Sequence, residues 1–331
     1  MASNLSHQIP KPRTLFSPTS PNYGASPARR TNPCSAVPSP SPTNSLLKLS
    51  MTNSFPKTDL VRLLALPAPV RLLALLAAFR FLAVPDLIRA GITTSDVEAA
   101  EAASSILRFQ LQRRMTEPAP IQVLALSRAG ACELARAVDV DLATVPHSTR
   151  SNSSRSVMFL DHTLARNAFA LSLAGMKVEA DENPVLLSWE HDRDRLADSV
   201  SMVADKGELR RQPLEADGFA VCRGPRGTEG LLVEIDRATE PVGYLGRKYA
   251  GYLKWWRADG HMRRFDVNTV RILTVAPDER RTARLRDACL ESTEGKAGGL
   301  FWFGAEGAIT KHGIMAPIWS TARVERLPLW T

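Results

Sequence analysis

Acidic residues are missing from the first 58 positions, which nevertheless contain six Lys and Arg. These six residues supply most of the formal net charge of +8, so the rest of the chain is almost balanced. The basic overall charge therefore does not establish nucleic-acid binding, which has to be argued from local patches and motifs.

Cysteine clusters and long apolar runs are also lacking. The four cysteines are scattered without a C-x-x-C pair or zinc-ligand spacing, which excludes a disulfide scaffold and a structural zinc site and favours a reducing, cytoplasmic compartment. The most apolar stretch, Leu60–Ile88, is interrupted by Arg and Pro, and its longest uncharged run, Leu72–Phe79, is too short to span a bilayer. We therefore expect no membrane partner.

Nucleotide-phosphate and zinc-protease motifs are absent as well. The sequence contains no Walker A loop, G-x-G-x-x-G fingerprint, G-x-S-x-G elbow or H-E-x-x-H helix. These absences argue against a nucleotide-driven motor, a dinucleotide redox enzyme and a zinc protease.

Residues 1–58 contain eleven Ser and ten Pro and too few aromatic and β-branched residues to build a core. This composition predicts a disordered tail. It also resembles an organelle transit peptide, whereas Met51 offers an alternative start just before the folded region. A nonessential extension is the favoured interpretation of the tail.

A first folded domain is predicted for residues 59–146. Its pattern gives helices at Leu72–Phe79, at Pro85–Ala90 and from about Thr93 to Arg114, followed by a strand at Ile121–Leu126. This order is typical of a winged helix-turn-helix. The balance of Arg and acidic residues leaves a dimerisation or docking role open. If the third helix enters a major groove, its last turns present cations to phosphates or base edges: Arg108, Arg113 and Arg114.

A Ser- and Thr-rich stretch, residues 147–156, is predicted to be a linker to a second domain, residues 157–331. The second domain shows the order helix, three strands, helix, strand, helix, strand. That order predicts a mixed sheet flanked by helices. His162, near the start of the first of these helices, is a candidate acid, base or phosphate donor, although such a residue is more often a capping or packing residue.

The most informative segment of this domain is a predicted acidic hairpin. In Leu231–Asp236 the strand period of two places Glu234 and Asp236 on the same face. If residues 224–229 form the hairpin loop, Asp217 on the preceding strand lies opposite Asp236. Three carboxylates then converge, although a register slip of one residue would turn Asp217 away.

Three adjacent carboxylates raise one another's pKa unless a cation lies among them. Oxygen ligands suit Mg²⁺ or Mn²⁺, and such an ion polarises a phosphodiester and activates a nucleophile. The next helix carries Tyr244, Lys248 and Tyr252 at four-residue spacing, a stripe that we expect to face the same sheet edge. The alternative is that Glu234 and Asp236 line a solvated face and that the tyrosines belong to the core.

The run Glu234–Glu240 (EIDRATE), followed by Lys248 and Tyr252, resembles the signature of the replication-relaxation family of plasmid and mobile-element proteins. The resemblance covers roughly residues 70–331. Further segments are similar to that family at His162–Asn167, Asp217–Gly218 and Val270–Arg281.

The resemblance implies an N-terminal winged helix joined to a domain similar to the PD-(D/E)xK restriction-endonuclease fold, in proteins linked to plasmid replication, DNA relaxation and mobilisation. By position, Asp217 matches the first metal-binding Asp and Glu234 the second acidic ligand. Asp236 stands where the wider nuclease superfamily usually has Lys. Lys248 on the following helix is the candidate replacement for that Lys.

Two functions are expected from this combination. The first is a divalent-metal-dependent, relaxase-like enzyme that nicks DNA, in which Asp217, Glu234 and Asp236 bind Mg²⁺ or Mn²⁺, Lys248 stabilises phosphate charge and Tyr252 is a candidate nucleophile. The second is a catalytically inactive accessory factor that binds double-stranded DNA at an origin or transfer site or docks on other replication or mobilisation proteins. A homodimer is compatible with both.

Overall fold

The computed structural model of the chain describes residues 55–56, 59–112, 119–149, 156–175, 184–203, 208–296 and 298–330. Over these ranges the protein is a mixed α+β structure. A helical unit with a small sheet precedes a six-stranded mixed sheet that is flanked by helices, and this larger sheet confirms that part of the predicted architecture. No helix in these ranges is long and apolar enough to cross a membrane.

The N-terminal unit alternates helices with short strands. Its three-stranded sheet has the order β1-β3-β2, with antiparallel neighbours. Local sequence explains the start of α4, where the Thr93 side chain accepts from the Asp96 N–H and the Asp96 carboxylate accepts from the Thr93 N–H. The elements are α1 Leu60–Leu64, α2 Ala68–Phe79, β1 Leu82–Ala83, α3 Val84–Arg89, α4 Thr94–Ala102, β2 Ile106–Leu111, β3 Ile121–Leu126 and α5 Arg128–Val138.

The third long helix predicted for this unit is shorter than expected. It ends at Ala102, and Ser104 adopts a positive φ of 57°, which a helix cannot accommodate. Strand β2 follows and pairs with β3 over its whole length. The prediction that placed Arg108 late in a helix is therefore wrong. The reason is that residues 106–111 alternate apolar and polar side chains and find a partner strand more than ten residues away, which local helix propensity does not register.

Most of the predicted tail, residues 1–54 and 57–58, lies outside the described residues, and so does Met51. Phe55 is described and is buried, and its backbone N–H donates to Thr144 Oγ1 at 3.0 Å. Phe55 therefore packs with the folded part of the chain.

The second half of the chain supplies the larger sheet, in the order β11-β10-β9-β8-β7-β4. Strands β8, β9 and β10 run parallel, whereas β4, β7 and β11 each pair antiparallel with a neighbour. The elements are α6 Val157–Ala174, β4 Val185–Glu190, α7 Arg193–Leu196, β5 Asp198–Val203, β6 Leu209–Leu214, β7 Gly218–Gly224, β8 Gly227–Ile235, α8 Val242–Arg257, α9 Gly260–Phe265, β9 Val270–Ala276, α10 Glu279–Ser292, β10 Phe301–Ala305, α11 Glu306–His312 and β11 Ser320–Thr321.

Strand β8 separates two hydrophobic clusters. Leu231, Val233 and Ile235 pack on the side of α6 and the N-terminal unit, whereas Leu232 packs on the side of α8 and α10. Glu234 shares the face of Leu232, as the period of two predicts. The acidic side chain is thereby aimed at α8, at the end of a buried strand.

The N-terminal unit and the sheet share one core. Buried residues of α2 and α5 belong to the same hydrophobic cluster as buried residues of α6, β4 and β8. The fully buried Asn167 of α6 donates to the carbonyl oxygens of Phe79 (3.1 Å) and Phe81 (2.8 Å). These bonds satisfy backbone groups at the end of α2 and fix α6 against it.

Candidate functional site

The β7–β8 hairpin is tighter than predicted. Gly224 pairs with Gly227, so that the two residues between them form the loop instead of six. Gly227 adopts a φ of +106°, which is accessible chiefly to glycine. The register therefore moves by two residues, which keeps every side chain on its predicted face but brings Asp217 opposite Glu234 and not Asp236.

Asp217 lies just before β7 and is held by two elements. Its Oδ2 accepts the Ile235 backbone N–H at 2.7 Å, and its Oδ1 lies 3.2 Å from His162 Nε2 on α6. The adjacent Gly218 permits the close approach of Trp189, because a Cβ there would lie 2.2 Å from the Trp189 ring. The sequence thus positions the Asp217 carboxylate through a packed strand start rather than through a flexible loop.

Glu234 is 6% exposed and is contacted by two side chains of α8. Lys248 Nζ lies 2.6 Å from Glu234 Oε2 and also donates to the Glu215 carbonyl oxygen at 2.7 Å. The Tyr252 hydroxyl donates to Glu234 Oε1. The predicted stripe of α8 therefore does reach the acidic strand, with Lys248 and Tyr252 both directed at Glu234.

Tyr252 is only 2% exposed. Burial and the neighbouring Glu234 charge raise its pKa well above the usual value. A buried phenol in this state is a poor nucleophile, and the position assigns Tyr252 to holding Glu234 in place. Tyr244, two stripe positions before Tyr252, is 45% exposed and lines the cavity at the site.

Asp236 does not join the other two carboxylates. Arg281 of α10 forms a bidentate ion pair with it, with Nε–Oδ2 at 2.7 Å and Nη2–Oδ1 at 3.1 Å, and donates a further bond to the Glu240 carbonyl oxygen. The predicted convergence of three carboxylates is therefore wrong. Within the described residues, no group of three or more His, Cys, Asp or Glu is arranged to hold a metal ion.

Burial and charge shift the titration of the whole cluster. Burial raises the pKa of Glu234 to about 7, against the opposing effect of Lys248. Burial also opposes the charged forms of Lys248, His162 and Asp217, but their partners outweigh it: Glu234 raises the pKa of Lys248, Asp217 raises that of His162, and His162 lowers that of Asp217. The site is a compact set of coupled charges in a region of low solvation.

A cavity of about 280 Å³ opens above this cluster. Carboxylates dominate its charged lining, and Lys248, His162 and Arg237 are the cations present among the lining residues. Arg237 is itself paired with Asp161 and Glu306 on the far side. The lining carboxylates are Glu215, Asp217, Glu234, Asp236 and Glu240.

The donor set at Asp217 and Glu234 fits a divalent ion that keeps part of its water. Each of these carboxylate oxygens accepts a hydrogen bond, but a carboxylate oxygen has a second lone pair. Mg²⁺ in proteins is commonly held by one or two carboxylates and several waters. Asp236 does not fit as a third ligand, because no group of three such side chains in the described residues is arranged to hold a metal ion and the Arg281 guanidinium lies against Asp236.

The predicted DNA-contacting arginines are not brought to this site. Arg108 lies on β2 and pairs with Glu101 of α4, with Nε–Oε1 at 2.5 Å. Arg113 and Arg114 lie outside the described residues.

Sequence reasoning missed the hairpin β5–β6 beside α8. Leu209–Leu214 contains two Arg and a Pro, which weaken the strand pattern. Its signal would have been the pairing partner Asp198–Val203, whose Val200 and Met202 alternate with serines.

Comparison with known proteins gives one match. Searches of curated proteins and of solved structures find no similar protein. The model of the replication-relaxation family, by contrast, matches residues 82–270, which include β1, the acidic hairpin and α8. Since this match spans more than half of the chain, the protein belongs to the replication-relaxation family.

Proposed function

We propose that the protein nicks DNA with the help of a divalent metal ion during the replication or transfer of a plasmid or other mobile element. The observation that carries the proposal is the meeting of Asp217, Glu234 and Lys248 at the ends of adjacent buried elements. Family membership supports the replication context, and the mixed sheet with an acidic hairpin supports a PD-(D/E)xK-like fold for the second half of the chain.

Each side chain has a distinct part in this proposal. Asp217 and Glu234 hold Mg²⁺ or Mn²⁺, which when bound stabilises charge on the phosphodiester and activates the attacking water or hydroxyl. Lys248, fixed by Glu234 and the Glu215 carbonyl oxygen, supplies a further positive charge to the phosphate. His162 orients Asp217 through Nε2. Tyr252 fixes the Glu234 carboxylate.

The order α2, β1, α3, α4, β2, β3 supports a winged-helix assignment for the N-terminal unit. Its third helix, α4, contains Asp96, Glu98 and Glu101 and no Lys or Arg. Phosphates repel a helix of this charge. We therefore assign α4 to docking on a replication or mobilisation protein rather than to the major groove.

The proposal is tested by nicking of a supercoiled plasmid that carries the gene's own neighbourhood, with Mg²⁺ or Mn²⁺ and with EDTA. We expect open circles only with the metal ion. The Asp217→Asn variant should lose this product, because it removes one of two charged ligands while keeping the shape of the side chain. Glu98→Gln, which removes an exposed charge of α4, is the matched control and should nick like the parent.

Intact supercoils at all metal concentrations, on DNA that the parent binds, would overturn the enzyme proposal. The result would favour the accessory-factor reading, in which the acidic cluster is a structural feature of a DNA-binding protein. Equal nicking by the parent and Asp217→Asn would instead place the activity outside this site.

A further inference from the structure

A second cleft, of about 670 Å³, lies between the β5–β6 hairpin and α8 and adjoins the acidic site. The two cavities share Tyr244 and Lys248 in their linings. We define the basic cleft by Arg210, Arg211, Arg247 and Tyr244, all of which are exposed. Among the residues that the structure describes, no carboxylate lines this cleft, in contrast with the acidic cavity next to it.

The walls of the basic cleft are fixed rather than incidental. Gln212 Nε2 donates to the Arg247 carbonyl oxygen at 2.9 Å, and Trp255 Nε1 donates to Asp198 Oδ2 at 2.8 Å. Gly251 lets the hairpin approach α8, because a Cβ there would lie 3.0 Å from Gln212 Nε2. The hairpin is therefore held on the helix from both of its strands, and the cleft between them is a built feature.

Arg211 and Arg247 of the cleft are available to an anion, whereas Arg210 pairs with the exposed Glu208. Arg211 Nε donates to Ser199 Oγ at 2.6 Å, and the Arg247 guanidinium lies 5.8 Å from the centre of the Tyr244 ring. Neither guanidinium pairs with a carboxylate of the described residues.

We propose that the basic cleft binds a single strand of DNA and leads its phosphates to Asp217 and Glu234. Exposed arginines beside an exposed aromatic ring are the combination that binds a single strand, through phosphate contacts and base stacking. The inference rests on the proposed function for its final step, the delivery of a phosphate to the acidic site.

A third cavity shares His162 with the acidic site. Its lining contains Arg166, whose guanidinium contacts Asn167 Oδ1, and the exposed ring of Phe159, but also the carboxylates of Glu190 and Asp192. This mixed lining differs from that of the basic cleft, and the inference therefore rests on the basic cleft alone.

The test is fluorescence anisotropy with a labelled oligodeoxythymidine strand and with a duplex of the same length, both in EDTA. The double variant Arg211→Gln/Arg247→Gln is compared with Arg136→Gln/Arg326→Gln, which removes two exposed arginines outside the basic cleft. We expect the parent to prefer the single strand. The cleft variant should bind at least about tenfold more weakly and reduce the salt slope by about 1.4, as the loss of two phosphate contacts predicts.

Tyr244→Ala gives a second, charge-neutral readout. Loss of one stacked base should lower single-strand affinity by about tenfold, with the salt slope unchanged. A parent that binds the duplex as tightly as the single strand, or a cleft variant that binds like its control, would overturn the inference.

The two proposals fail separately. The protein could bind a single strand in EDTA through Arg211 and Arg247 and yet fail to nick DNA in Mg²⁺. That result would reject the proposed enzyme activity and retain the proposed single-strand binding by the cleft. Conversely, metal-dependent nicking could require Asp217 and be unaffected in Arg211→Gln/Arg247→Gln. That result would reject the role of the cleft and retain the proposed enzyme activity.

Discussion

Glu234 and Asp236 point to the same side of the sheet, two residues apart, yet their surroundings differ. Both line the acidic cavity, but Glu234 accepts from the Lys248 ammonium and the Tyr252 hydroxyl, whereas Asp236 accepts two bonds from the Arg281 guanidinium. A bidentate guanidinium pair is the stronger of the two arrangements. Burial raises the pKa of Glu234 to about 7, although Lys248 opposes that shift.

The difference separates Glu234, a metal ligand in the proposed function, from Asp236, a carboxylate paired with an arginine, at the end of a single strand. Proximity in sequence, by itself, would have assigned both to the same role. The partner supplied by a distant helix decides which carboxylate keeps capacity for another cation.

The largest expected effect is on nicking. Glu234→Gln should lower the nicking rate by about 10²–10³, the range for loss of one preorganised electrostatic contact. Asp236→Asn should nick at nearly the parental rate, because its amide oxygen still accepts from Arg281. Single-turnover nicking assays with Mg²⁺ measure both rates, and equal losses in the two variants would erase the distinction between the carboxylates.

The next largest effect is on stability. Arg281→Met leaves the buried Asp236 carboxylate without its charge partner. We expect the free energy of unfolding to fall by about 3–5 kcal/mol. Lys248→Met removes the charge partner of Glu234, but Glu234 has a raised pKa and takes up a proton instead. Near pH 6, the loss in the free energy of unfolding should therefore be about half of that in Arg281→Met. Urea denaturation followed by tryptophan fluorescence measures the two values, and a larger loss in Lys248→Met would contradict the comparison.

A smaller effect is expected in the pH dependence of stability. The folded pKa of Glu234 is about 7, above the value of the unfolded chain, so the folded state binds the extra proton. Its contribution is fully present below about pH 4 and is lost as the pH rises towards the folded pKa. In EDTA, the parent should therefore lose stability relative to Glu234→Gln between about pH 5 and pH 8.

Parallel stability curves for these two proteins would mean that Glu234 is ionised throughout this range.

The smallest expected effect on stability is at an exposed ion pair, which serves as a reference for the buried ion pairs. Arg108 and Glu101 form an ion pair with both side chains about one-third exposed. Arg108→Ala should change the free energy of unfolding by less than about 1 kcal/mol. A loss as large as that of Arg281→Met would show that the number of hydrogen bonds in the ion pair, and not its burial, sets the contribution to stability.

Local periodicity predicted the elements that are strongly apolar. Helix α2, strand β3, strand β8 and helix α8 lie where the sequence placed them, and the face of Glu234 followed from the strand period. The reach of Lys248 to the acidic strand also agrees with its four-residue spacing from Tyr252.

The remaining errors have a common physical origin in partners that are distant along the chain. Residues 106–111 became a strand because β3 pairs with them. The hairpin register depended on a two-residue turn at Gly227. The role of Asp236 was set by Arg281, which lies 45 residues away. In each case the deciding partner is one that local periodicity alone does not identify.

Asn167 joins the two halves of the chain at their shared core. Its side-chain amide on α6 donates to the backbone carbonyl oxygens at the end of α2. The same hydrophobic cluster continues from α2 into the large sheet. A chimera that takes one half from a distant relative would have to restore both the Asn167 hydrogen bonds and the apolar packing across this contact. We therefore expect the two halves of the chain to evolve together, with sequence changes on one side of the contact matched by changes on the other.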